Sequence, residues 1–367
     1  MLQCSRIIIL IYAVFMVASG AVASKLTLSN VRTDRLVLKP ETGENLKIRY
    51  HISAPARVVA KIYDSRNILV RKFTENRNSG GDYSFLWDGK DESGNTVPSN
   101  FYYYTVSATS QNGRTVTYDL TDLTGGEVEN AQGIKYDSEK RELQYVLPKA
   151  SIVNIRIGYA NGGPLLRTLI DWVPRPGGLN VEKWDGWDNC HVVNVKNSKN
   201  LQINVSAYSL PMNSIIVQGL NTTSRPEFIE NITWQKEVRQ PTKKAKKQMY
   251  NHWQHPRDRC YDPVIKISAL GNFPRTRDGL PVVSSPLPIQ TTIPSDELPF
   301  MFDQRFEVVY YVDFVFLYEE ELGYVPFTWK WDPKGVNEGV HYITVMLRGY
   351  EGHFGSATMK VYVKPSK

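Results

Sequence analysis

The chain has 367 residues, enough for two or three domains of ordinary size, each with a core of its own. Its 44 lysines and arginines against 37 aspartates and glutamates leave a net charge of +7, and the basic residues are spread along the sequence, which argues against a nucleic-acid partner. Aromatic residues make up 11%, with 21 tyrosines, a bias toward pleated surfaces where aromatic and β-branched side chains pack well.

The first residues carry Arg6, an apolar run over 7–17, and small residues ending in Ala21, Val22 and Ala23. That order is an export signal over residues 1–23, cleaved after Ala23. The run is short for a membrane span, and an uncleaved anchor is the alternative. Cys4 precedes the apolar run and leaves with the signal. No later stretch reaches 18 uninterrupted apolar residues, so the mature chain is expected to lack a transmembrane span and to reside in the periplasm or at the cell surface.

From residue 26 to about 120 the sequence is a series of short strand candidates separated by turn residues. In the clearest of them Leu46, Ile48, Tyr50 and Ile52 alternate with Lys47, Arg49, His51 and Ser53, the period of a sheet buried on one face. The series is punctuated by Trp87, Asp88, Gly89, Asp91 and Gly94. Trp87 can enter a core from the incoming strand, the Asp88 carboxylate can accept backbone N–H bonds two residues on, and Gly89 tolerates positive φ. A calcium loop built on Asp88, Asp91, Glu92 and Asn95 is the competing reading, but the spacing is not that of an EF-hand and no acidic residue closes it. Many short strands in about a hundred residues point to a β-sandwich.

These residues resemble the immunoglobulin-like domain of the flagellar hook-capping protein family. The resemblance is carried by Ile62, Tyr63 and Asp64 before a turn, Leu69, Val70 and Arg71 on the next strand, Gly80 and Gly81 at a bend, the Trp87 corner, and a tyrosine-rich strand over 102–106. Asn67 stands where the family usually has Gly, and Asn also tolerates the left-handed region. The resemblance implies an immunoglobulin-like sandwich and an extracytoplasmic setting; the module is too widespread to imply flagellar work.

A second copy follows. Ile157, Arg167 and Trp184 lie 95, 96 and 97 residues after Ile62, Arg71 and Trp87, a near-constant offset that indicates repeated domains. Trp184, Asp185, Gly186 and Asp188 repeat the corner, and Cys190 takes the place of Ser93. The last hundred residues resume strand patterning, resemble another bacterial immunoglobulin-like form, and echo the corner at Trp331 and Asp332. His341 and His353 fall where that pattern carries hairpin residues, so structural roles are expected. The expected class is therefore all-β, tandem immunoglobulin-like β-sandwiches: a first domain over 24–123, a divergent second over 124–219, a basic linker over 220–262, and a C-terminal domain over 263–367.

The linker holds Lys243, Lys244, Lys246 and Lys247, read as a solvated segment. His252, His255 and Cys260 lie near its end. With Cys190 and Cys260 the only cysteines left after signal removal, a disulfide between them is expected in an exported chain. Two free thiols or a metal or haem site using the histidines are the alternatives. No nucleophile elbow, metal-binding histidine pair or phosphate loop is present. The carboxylates of Glu319, Glu320 and Glu321 cannot be told from a solvated strand edge. The expectation is thus a non-enzymatic protein without a cofactor, serving as a scaffold or protein-binding unit with other envelope proteins or by self-association. The alternative is a carbohydrate-binding or adhesive accessory protein, with polysaccharide stacked on Trp187, Trp234 or Trp253.

Overall fold

The computed structural model describes residues 25–196, 198–219, 237–240, 262–295, 305–350 and 352–365. The expected all-β class holds: the described residues form three two-sheet sandwiches, with one short 3-10 turn at Pro40–Thr42. The export signal read at residues 1–23 lies outside the described residues.

In the first sandwich, β1 (Leu28–Thr33), β3 (Leu46–Ile52) and β6 (Gly81–Trp87) form one sheet. The other runs β2 (Val37–Leu38), β15 (Ser214–Val217), β7 (Asn100–Thr109), β4 (Ala56–Tyr63) and β5 (Leu69–Arg77), with β8 (Thr115–Tyr118) also beside β7. On β3, Leu46, Ile48, Tyr50 and Ile52 are buried, and Tyr50 stacks on Phe85 at 5.3 Å. Trp87 meets the edge of Tyr102 from the facing sheet at 5.6 Å. Each such side chain, taken fully out of water, contributes about 1.5–3 kcal/mol.

Residues 214–217, placed in the second domain by the sequence, belong to the first sandwich. β15 pairs antiparallel with residues 100–103 of β7 and parallel with β2, while β8 takes residues 106–109 of the same β7 edge. The second sandwich is therefore spliced into the first between β8 and β15. The physical reason is the pairing demand of β7. Its first half would otherwise present unpaired N–H and C=O groups, and the four buried residues of β15 need cover on both faces. The two chain passes between the sandwiches are tied together, with Gly126 N–H donating to Ser209 O at 2.7 Å and Ser209 N–H to Glu127 O at 2.8 Å.

The second sandwich pairs β9 (Gln132–Asp137), β10 (Glu142–Leu147) and β13 (Gly178–Lys183) against β11 (Ser151–Tyr159), β12 (Leu165–Arg175) and β14 (Leu201–Ser209). Trp184, Tyr145, Ile155 and Ile157 fill its core. The third packs β16 (Lys266–Ala269), β18 (Leu287–Thr292) and β21 (Phe327–Trp331) on a five-stranded sheet. That sheet runs β17 (Val282–Val283), β23 (Phe354–Val363), β22 (Gly339–Gly349), β19 (Phe306–Val312) and β20 (Val315–Glu320), around Tyr310 and Trp331.

Strand β12 carries a bulge opposite Asn154 of β11. Val153 pairs with Val173 and Ile155 with Ile170, so Asn154 faces both Asp171 and Trp172. Trp172 adopts φ 50°, a left-handed conformation that a bulky residue holds only when its surroundings dictate it.

Candidate functional site

The tryptophan corners have matching geometry. Trp87 and Trp184 are buried, and each indole N–H donates to the backbone carbonyl three residues on, Lys90 O at 2.9 Å and Trp187 O at 3.0 Å. Asp88 Oδ1 accepts from Lys90 N–H, and Asp185 Oδ1 from Trp187 N–H, both at 3.1 Å. Asp91 Oδ1 accepts from Ser93 and Asn95 N–H, and Asp188 Oδ1 from Val192 and Val193 N–H. Gly94 (φ 84°) is replaced in the second copy by His191 (φ 55°), whose ring pairs with Asp185. These carboxylates are turned inward to their own loops, and the two corners sit in separate sandwiches. Gly89 (φ 75°) lies against Pro40, where an added Cβ would fall 2.3 Å from the ring Cγ, whereas Gly94 faces open space. Gly89→Ala is therefore expected to lower stability by roughly 1–3 kcal/mol in chemical denaturation, and Gly94→Ala by less.

The groups that do converge lie on the outer face of the β12, β11 and β14 sheet. At one end Ile152, Trp172 and Tyr208 pack against Phe101, Tyr103 and Ile216 of the first sandwich, with Trp172 and Tyr208 5.4 Å apart. β7 is thus buried on both faces: Tyr102, Tyr104 and Val106 enter the first core, while Phe101 and Tyr103 meet the second sandwich. Buried Asn213 fastens the seam, donating to Tyr104 O at 2.8 Å and Thr121 Oγ1 at 2.9 Å.

At the other end the hub is Asp262, whose side chain is only 5% exposed. Arg156 grips it with two N–H groups, the Nε bond at 2.9 Å, and donates from Nη2 to Gly352 O at 2.7 Å. Thr168 Oγ1 donates to Asp262 Oδ2 at 2.6 Å, and Phe354 N–H to Oδ1 at 3.0 Å. The Arg156 guanidinium also lies 4.4 Å over the Phe354 ring. A tight hairpin adds a second hold: Asp313 and Phe314 both adopt positive φ, and Phe314 meets Tyr159 of the second sandwich edge-on at 4.7 Å. Asp313 is braced by His341 Nδ1 at 2.6 Å, a structural role for that histidine.

Asp171 completes the junction. Its Oδ1 accepts from Asn154 Nδ2 at 3.2 Å and its Oδ2 from Asp262 N–H at 2.9 Å. Burial, and then the neighbouring Asp262 charge, push its carboxyl up to about 7. With the unfolded value near 3.9, the folded state binds the proton more tightly. Its stabilising contribution is thus present below the unfolded value and is lost as pH rises through about 7. The thermal midpoint is expected to fall between pH 5 and pH 8, and Asp171→Asn to flatten that slope.

Part of the segment read as a solvated linker is docked. Residues 237–240 lie against the β4–β5 turn, with Val238 bridging Ile68 and Leu69 N–H donating to Glu237 O at 2.8 Å. Arg239 is buried; its Nη1 and Nη2 reach both Asp122 oxygens at 2.8 and 2.5 Å, and its Nε donates to Asn67 Oδ1 at 3.0 Å. Asn67 holds φ 65° there. The reason for the departure from the sequence reading is that a single Arg among lysines carries no pattern, while its acidic socket is assembled from residues over a hundred positions away. The four lysines, His252, His255 and Cys260 lie outside the described residues, as do Trp234 and Trp253. Cys190 is exposed on the second corner, and Trp187 is half-buried beside His191. Among the described residues no group of three histidine, cysteine or acidic side chains is placed to hold a metal ion, and no helix is long and apolar enough to cross a membrane.

Sequence reasoning missed Asp171, Asp262, Phe101, Tyr103, Trp172 and Arg239. One signal was available: consecutive apolar residues over 101–104 and 215–217 mark strands covered on both faces.

Comparison with known proteins places the first sandwich. Residues 36–112 match the family described as FlgD Ig-like domain. Among solved structures, FlgD from P. aeruginosa is 24% identical over 29% of this chain and 75% of its own, with a TM-score of 0.20. The fibronectin(III)-like modules of Clostridium thermocellum CbhA are 10% identical over 93% and 95%, with a TM-score of 0.20. A bacterial ice-binding adhesin is 10% identical over 94% and 99%, with a TM-score of 0.19. No curated protein matches the chain.

Proposed function

We propose that this chain, whose residues 36–112 are an FlgD-like immunoglobulin-like domain, is a non-enzymatic structural and interaction protein of the cell envelope or cell surface. The carrying observation is the outer face of the middle sandwich. Ile152, Asn154 and Arg156 follow one another on it, facing in turn the first sandwich, the bulge and the third sandwich. Buried contacts at both ends hold the sandwiches as one stiff unit, as suits a spacer or a scaffold more than a flexible string of modules. The polar groups that converge, Arg156, Thr168, Asp171 and Asp262, bond to one another or to backbone groups in joining the modules. The amino-terminal signal pattern and the extracytoplasmic habit implied by the family resemblance support export.

The partners are envelope proteins or further copies of the chain. The test is a pull-down of the tagged chain from its own envelope fraction, identified by mass spectrometry. Recovery of defined envelope proteins, lost when Asp262→Ala opens the joint between the second and third sandwiches, is the expected result. Recovery of soluble sugar oligomers alone would sink the scaffold reading.

A further inference from the structure

The five-stranded sheet of the third sandwich ends in β20, which among the described residues pairs only with β19. Edge strands are normally blunted with charged side chains, above all lysine, or with proline, bulges or short length, because their free N–H and C=O groups can recruit another chain. β20 carries neither lysine nor proline; it is bulged at Leu317, and its charges are gathered at its end in Glu319 and Glu320, which leaves residues 315–318 without a charge. It exposes Val315 (69%), Phe316 (51%) and Leu317 (51%), and the loop beyond it exposes Leu322 (81%) and Tyr324 (57%). A clustered apolar surface of this kind marks an interaction site.

Charge narrows the partner. The apolar run is followed, after Tyr318, by Glu319, Glu320 and Glu321. Among the described residues none of the three is in ion-pair contact with a lysine, arginine or histidine, although the chain as a whole carries an excess of basic residues. The Glu320 carboxylate accepts from Tyr318 Oη at 3.1 Å. Three adjacent carboxylates repel one another, and a cation brought to them relieves that repulsion while a further anion adds to it. The surface is also continuous with an established interface. The hairpin that leads into β20 is anchored on Tyr159 through Phe314, so the edge is held rigidly at its start.

From these observations we infer that β20 is a strand-addition site for an extended segment of a partner protein. That segment is apolar where it runs beside residues 315–317 and basic where it passes Glu319, Glu320 and Glu321, so that each face of the added strand meets its own complement. Backbone pairing supplies affinity, and the carboxylates choose a basic strand over an acidic one. The inference rests on the scaffold reading and specifies one of its docking edges.

The test uses the full chain and a fluorescein-labelled peptide, Lys-Lys-Lys-Thr-Val-Ile-Val, which in antiparallel register sets its basic block beside residues 319–321 and its apolar block beside 315–317, followed by fluorescence anisotropy. Saturable binding is expected, at least tenfold tighter than for the analogue with Glu in place of Lys. It should weaken at least tenfold in the triple variant Glu319→Lys, Glu320→Lys, Glu321→Lys, whose changes lie at the sheet edge. Leu317→Pro should abolish it. Equal binding of both peptides, or binding indifferent to the triple variant, overturns the assignment. A chain that sediments as a dimer and is dissociated by Leu317→Pro also overturns it, since the edge then closes on a second copy. If Leu317→Pro retains every envelope partner of the unaltered chain, this edge is the wrong one while the scaffold reading stands.

Discussion

Replacing Asp262 with alanine should cost about 3–5 kcal/mol, the loss typical when one member of a buried ion pair is removed. The variant leaves the Arg156 guanidinium, only 17% exposed, without its carboxylate, and strips acceptors from the Thr168 hydroxyl and the Phe354 N–H. The damage should be local at first. The three sandwiches keep their own cores, so the expected signature is a junction that opens well below the main unfolding transition. Small-angle scattering would show it as a larger radius of gyration, and limited proteolysis as early cleavage near residue 262. Asp262→Asn, which keeps an acceptor for one or two of the donors, should fall between. Superimposable unfolding and scattering curves for the alanine variant and the parent would show that the third sandwich is held by something other than this clasp.

Trp184→Ala should be comparably damaging, about 3–5 kcal/mol for deletion of a buried Trp. Its distinguishing feature is where the loss is felt. Because the second sandwich is spliced between β8 and β15, its unfolding removes the hold on both chain passes that deliver β15 to β7. Hydrogen exchange should therefore quicken not only in β10 and β11 but also at residues 100–103 of β7, in a sandwich that Trp184 never touches. Protection unchanged at residues 100–103 would mean that the two sandwiches fold as independent beads.

Much of the architecture was legible because it is local. The alternation of β3, the turn chemistry of Asp88 and Gly89, and the near-constant offset to Trp184 are all written within short windows. Each reports a physical demand: a buried face, a positive φ, a repeated core. The junctions were not legible in the same way. Asp171, Arg156 and Asp262 are scattered over a hundred residues and become a unit only through the bulge on β12 and the docking of the third sandwich. β15 reads as one more short apolar strand, and nothing in Ser214, Ile215, Ile216 and Val217 states that its partner lies more than a hundred residues back. Arg239 is a single basic residue whose meaning depends on Asp122 and Asn67.

The two-residue bulge on β12 also has a mechanical meaning. Trp172 is wedged against the first sandwich and Asp171 belongs to the clasp on the third, so the contacts that resist bending at either end meet at adjoining peptide units. A tug on the outer sandwiches is carried across the sheet at that point instead of being absorbed by slack in a tether. Shortening the strand there by one residue would slacken both joints in the same stroke, and neither can be retuned without disturbing its neighbour.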